Sequence, residues 1–123
     1  MTQNHHAEVI SINQKRYFTL SEAQKLMPII RRITLEAQKK VQTLNLLLDR
    51  TKDENKRIEI ETTMKQVFQT WYEKIQKLGC ESKGMWLVDF DSGEGYYCWH
   101  YPEAELAHFH GYFEGFQGRV KIQ

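Results

Sequence analysis

Between Tyr96 and His110 the chain reads YYCWHYPEAELAHFH, which sets Cys98, His100, His108 and His110 beside the carboxylate of Glu105. Asp89, in the preceding LVDF, adds a further acid. Thiolate, imidazole and carboxylate are the donors that zinc and other late first-row ions take up. Two other chemistries suit the same side chains: a Cys98 thiol activated by a neighbouring imidazole, and an acid–base pair of Glu105 with His110. The chain holds no CxxC pair, HExxH motif or nucleophile signature, so these residues form a site only if separate elements bring them together. Further on, GFQGR places Arg119 among glycine-rich backbone amides, the composition of an anion-binding loop, although its spacing matches neither a P-loop nor a dinucleotide fingerprint. Arg119 and Glu105 are therefore candidates for holding a small ligand.

The elements that must position these residues show in the hydrophobic period. After Gly84 it is two: MWLVDF sets Trp86, Val88 and Phe90 on one face and Leu87 and Asp89 on the other. DSGEG then reads as a hairpin turn and YYCWHY as the second strand. A two- or four-residue loop puts Asp89 opposite Cys98 and Leu87 opposite His100, which gathers Trp86, Val88, Phe90, Tyr97, Trp99 and Tyr101 on a single face; a five-residue loop would scatter them. ELAHFH is a third candidate strand, with Ala107 and Phe109 continuing the apolar face and His108 and His110 pointing the other way. The expected polar face thus carries Asp89, Cys98, His100, His108 and His110 within reach of one ion, since adjacent strands lie about 4.8 Å apart. A side of the sheet that merely faces solvent is the competing reading, as is a buried Cys98 acting as a small hydrophobe.

Upstream, the period is helical. TLSE has capping-box spacing from Thr19 to Glu22, with Phe18 placed as a staple. Pro28 predicts that the first helix is broken near Met27, because proline removes a hydrogen bond and clashes with the preceding turn. Ile30, Ile33, Ala37, Val41, Leu44 and Leu48 then form one stripe, and past the turn formers of DRTKDEN a second stripe runs through Ile60, Met64, Val67, Trp71, Ile75 and Leu78. Gly79 suits the left-handed position after that helix. Residues 1–14 lack periodicity and read as a flexible tail, with AEVISI one short strand at most and His5 and His6 as a weak metal pair. Residues 15–123 read as one domain, a size that can bury a core without a staple.

Composition excludes several function classes. A formal net charge of +1 supplies no field for steering nucleic acid, and the basic helix with Arg31, Arg32, Lys39 and Lys40 lacks interleaved stacking aromatics. The balance hides a segregation: residues 15–52 carry nine Lys or Arg against three acids, whereas residues 84–118 carry six acids and no Lys or Arg. No apolar run approaches the roughly 18 to 20 residues of a membrane span. Two cysteines without a signal peptide point to reduced thiols in a cytoplasm.

YFTLSEAQKLMP, LVDF, YYCW, E-L-x-x-F-H and GF-x-GR occur in one order over about Tyr17 to Arg119, and in this the chain resembles the bacterial family catalogued as domain of unknown function 2203. Phe109 stands where that family usually has tryptophan and Gly111 where it often has an acid. The resemblance implies no settled activity; it implies the architecture and points to Asp89, Cys98, Glu105, His110 and Arg119.

These observations predict an α+β fold: an N-terminal antiparallel helical hairpin packed on one face of a small C-terminal antiparallel sheet. For function they leave a binding or assembly module, pairing through its helices as a homodimer or with a protein partner. The alternative is a protein that binds a divalent transition metal such as zinc, or a small ligand, on the polar sheet face, with or without catalysis.

Overall fold

The computed structural model describes residues 16–123, so the expected tail and its histidines lie outside the described residues. Helix α1 spans Leu20–Arg50 and helix α2 spans Glu54–Lys77. Strands β1 (Leu87–Asp91), β2 (Tyr96–His100), β3 (His108–His110) and β4 (Val120–Lys121) follow, with a 3-10 turn at Phe116–Gly118. The α+β architecture is the expected one, with two long helices ahead of a small antiparallel sheet. Among the described residues, no helix is long and apolar enough to cross a membrane.

α1 opens with the capping box read from TLSE: the Glu22 N–H donates to Thr19 Oγ1 at 3.1 Å, and the Thr19 N–H donates to Glu22 Oε1 at 2.9 Å. The expected break at Pro28 does not occur, and α1 is one helix of 31 residues. Proline costs a helix interior about 3 kcal/mol, but Pro28 is exposed while Met27 and Ile30, on either side, are buried in the core. Arg31 also ties this turn to the Ala104 carbonyl in the β2–β3 connection at 3.3 Å. Tertiary packing on the opposite side outweighs the local preference.

Asp53 caps α2 through the Lys56 N–H at 2.9 Å, and Arg57 closes the hairpin by donating to the carbonyls of Leu48 and Thr51 at 2.8 and 3.0 Å. Both helices face inward with the expected stripes, except that Thr34 is also fully buried. Its hydroxyl accepts the indole N–H of Trp71 at 2.8 Å, so a polar group inside the seam is satisfied rather than stranded. Gly79 holds φ of 91° after the second helix, as its position suggested.

The sheet order is β1-β2-β3-β4. Leu87 pairs with His100 and Asp89 with Cys98 across a four-residue loop, the register the apolar pattern required. Trp86, Val88, Phe90 and Trp99 join Trp71, Ile75 and Ile30 in the core, with the Trp71 and Trp86 rings edge to face at 5.0 Å. Trp86 adopts φ of 61°, an unfavourable conformation for a bulky residue, offset by this ring packing. Two features were absent from the sequence reading. β4 adds a fourth strand alongside β3, and Glu81 forms an antiparallel bridge to Asp89 on the outer side of β1.

Candidate metal centre

The sheet face turned away from the helices is not bare to solvent. Residues 111–119 cross it, with the Tyr112 hydroxyl donating to Asp91 Oδ1 at 2.7 Å and the Phe116 ring meeting His100 at 5.3 Å. Arg119 meanwhile closes on Glu103 through two hydrogen bonds of 3.0 and 2.8 Å. Beneath this cover Asp89, Cys98 and His110 are only 1%, 0% and 2% exposed.

Pairing explains why they meet. Asp89 stands opposite Cys98 on β1 and β2; on β3 it is His108 that faces Cys98, and His110 lies two residue pairs along, opposite Tyr96. Directly opposed residues project to the same face, as do residues two apart on one strand, so His110 reaches Asp89 and Cys98 diagonally and the three side chains share a corner. One donor atom from each lies within 4.8 Å of the others. His110 Nδ1 is 2.8 Å from the Gly111 carbonyl, which can only accept, so that nitrogen carries a proton. The other nitrogen, Nε2, faces Asp89 Oδ1 at 3.2 Å. A ring protonated only at Nδ1 would oppose two acceptors there, and a second proton or a cation between them resolves the conflict. A carbonyl fixing the distal nitrogen is also how metal-bound histidines are commonly oriented.

Burial and the adjacent Asp89 push the Cys98 thiol up to about 12. Arg119 beside the sulfur works in the other direction without prevailing. A thiol so held is no activated nucleophile at neutral pH, since the thiolate is the attacking form. Only a strong cation at the sulfur would make it a thiolate. Cys80 is likewise pushed to about 12 by burial and is packed in the core, and the two cysteines are not bridged.

Lys83 completes the surroundings. Its Nζ lies 3.2 Å from Asp89 Oδ2, 3.4 Å from Glu81 Oε1 and 3.6 Å from the centre of the Tyr96 ring. Burial alone would lower its pKa, but the Asp89 charge and hydrogen bond hold it above the ordinary value.

Of the residues singled out from sequence, then, Asp89, Cys98 and His110 converge. His108 shares the face, but its Nδ1 is 3.8 Å from Glu103 Oε2, and His100 is turned onto Phe116. Glu105 is exposed and lines a shallow pocket with Pro28 and Arg31, so the carboxylate facing His110 is Asp89 and the one gripping Arg119 is Glu103. Glu103, Glu81 and Lys83 were not singled out. Glu103 lies in the β2–β3 connection, where no periodicity assigns a direction. Glu81 lies before the first strand with two-residue alternation, paired to it through a single bridge.

The model of the family described as Uncharacterized conserved protein (DUF2203) matches residues 16–122 of the chain. Neither the curated proteins nor the solved structures contain a match to it.

Proposed function

The chain belongs to the DUF2203 family, whose description assigns no activity, and we propose from the geometry that it binds a divalent late first-row metal ion, zinc by donor type, at Asp89, Cys98 and His110. The convergence of three donors of three kinds within 4.8 Å in a buried corner carries this reading. Bonds of about 2.0 to 2.3 Å in a tetrahedral shell set donors roughly 3.3 to 3.7 Å apart. The Nε2 to Oδ1 separation of 3.2 Å is already near that spacing. The competing reading is a metal-free corner, in which His110 pairs with Asp89 and the Cys98 thiol hydrogen-bonds to Asp89 and Arg119. Elemental analysis of the untagged protein, followed by calorimetry with zinc on the reduced, chelator-treated chain, tests the proposal. Binding at micromolar zinc that disappears in Cys98→Ala and His110→Ala is expected; a wild-type chain that takes up no zinc, nickel or manganese refutes it.

A second reading, self-association through the helices, is supported by the outer half of the hairpin, which the sheet does not reach. There Leu46, Leu47 and Ile58 are about half exposed, and Val41, Leu48, Met64, Phe68 and Met85 line an apolar groove. Exposed apolar surface of this kind is commonly an interface. Sedimentation at micromolar concentration is expected to give a dimer, and a monomer alone refutes it.

A further inference from the structure

The three donors of the proposed centre leave one corner of a tetrahedron unassigned, and one more carboxylate, Glu81, lies outside the converged group but on the next position of the same row. Glu81 and Asp89 exchange backbone hydrogen bonds of 2.9 and 2.8 Å as an antiparallel bridge. Residues directly opposed in such a bridge project to the same face, so Glu81 extends the row of Asp89 and Cys98 by one position. Its Oε1 accepts from the Tyr96 hydroxyl at 3.2 Å and lies 3.4 Å from the Lys83 ammonium. The same ammonium is 3.2 Å from Asp89 and sits over the Tyr96 ring at 3.6 Å. Two carboxylates and an aromatic face around one positive charge make a cation seat.

The occupant and the inner wall of the seat differ in how firmly they are held. The Lys83 side chain is 47% exposed and that of Glu81 38%, whereas Asp89 is 1% exposed. A lysine on a flexible four-carbon stem can return its charge to water easily; a buried carboxylate cannot. Like charge points the same way: a divalent ion drawn to Asp89 repels the Lys83 ammonium 3.2 Å from the same carboxylate.

We propose that Glu81 is the fourth protein ligand of the centre and that Lys83 is an exchangeable counter-cation, which leaves Asp89 and Glu81 when a divalent metal ion enters. This rests on the metal reading above. Four protein donors around one ion characterise a closed, structural site, not an open one that activates water. The expected ligand is therefore the metal alone, with no substrate on it.

Cobalt(II) tests this, because its visible bands are strong in four-coordinate and weak in six-coordinate sites, while a near-ultraviolet charge-transfer band reports thiolate ligation. In the full-length chain, cobalt(II) is expected to give both signals. Glu81→Gln should keep the thiolate band, shift the visible bands and make them respond to pH and added anions as water takes the carboxylate's place in the four-coordinate shell, and weaken zinc binding by about tenfold or more. Lys83→Met should tighten zinc binding by a similar factor while lowering the melting temperature of the chelator-treated protein, because Asp89 then lacks its counter-charge. A purely structural lysine would lower stability and affinity together. Wild-type affinity and visible bands in Glu81→Gln overturn the fourth ligand, and unchanged or weaker binding in Lys83→Met overturns the exchange. If the wild-type chain gives no thiolate band at all, the metal reading itself fails and this inference falls with it.

Discussion

Asp89 offers a pair of substitutions whose effects should separate sharply. In Asp89→Ala the carboxylate is removed from a site 1% exposed, leaving His110 Nε2 without its partner at 3.2 Å and Lys83 without the one at 3.2 Å. Removing one member of a fully buried pair costs about 3 to 5 kcal/mol. Lys83 is half exposed and regains water, so most of the loss falls on His110 and on the cavity, and about 2 to 3 kcal/mol is the reasoned figure. For a chain of this size that corresponds to a fall in melting temperature of about 10 °C. Asp89→Asn keeps the shape, and its amide can donate to a neutral His110 Nε2 whose Nδ1 proton already goes to Gly111. Its stability should stay within about 1 kcal/mol of wild type. Zinc affinity should nevertheless collapse in both variants, since a neutral amide is a poor ligand for this ion. Thermal and guanidinium denaturation with chelator present, plus zinc calorimetry, read the two quantities separately. If Asp89→Ala behaves like a surface change of within about 0.5 kcal/mol, the buried pairing argument is wrong; zinc affinity surviving in Asp89→Asn would remove Asp89 from the ligand set.

Other outcomes follow from the same geometry. The Cys98 thiol is pushed to about 12, so metal binding must displace its proton throughout the neutral range; the apparent zinc affinity should rise about tenfold per pH unit from this group alone, and calorimetry in buffers of different ionisation enthalpy should show the proton released. Burial pushes the Glu103 carboxyl up, but the Arg119 hydrogen bonds and the His100 N–H bring it below its ordinary 4.5. A lowered folded-state pKa gives stability that is present above the unfolded value and lost as pH falls through the folded one; urea midpoints should therefore drop below pH 4.5, and less so in Arg119→Met. Trp99→Ala removes a core side chain 1% exposed, whose indole N–H donates to the Glu103 carbonyl at 2.8 Å; denaturation should show a loss of about 3 to 5 kcal/mol.

The sheet register was legible because only one pairing puts Trp86, Val88, Phe90 and Trp99 together, and burying one face makes a one-residue slip costly. That same register brought Asp89 to Cys98. The cap of α1 was legible because its two hydrogen bonds are local. Pro28 misled for the converse reason: the local penalty was visible, while the buried Met27 and Ile30 that hold the helix together lie against residues distant in sequence. The cover over the polar face was illegible too. Its contacts, Tyr112 to Asp91 and Arg119 to Glu103, span 21 and 16 residues of glycine-rich chain without period. Asp89 thus reads as solvent-facing in sequence and proves buried. Lys83 and Glu81 were hidden because a one-residue bridge leaves no alternating pattern.

The bridge at Glu81 has a further consequence for how the sheet meets other chains. An open strand edge offers unpaired backbone groups to any extended segment that drifts past. Along β1, the Glu81 N–H and carbonyl take up both backbone groups of Asp89, and the Phe18 N–H takes the Asp91 carbonyl at 2.8 Å. At the opposite side the sheet ends in β4, two residues long and bearing Lys121. Brevity and charge are both deterrents to strand addition. The small sheet is thereby a poor template for aggregation, and substitutions that detach residues 80–83 from β1 are expected to expose that template even where the core remains packed.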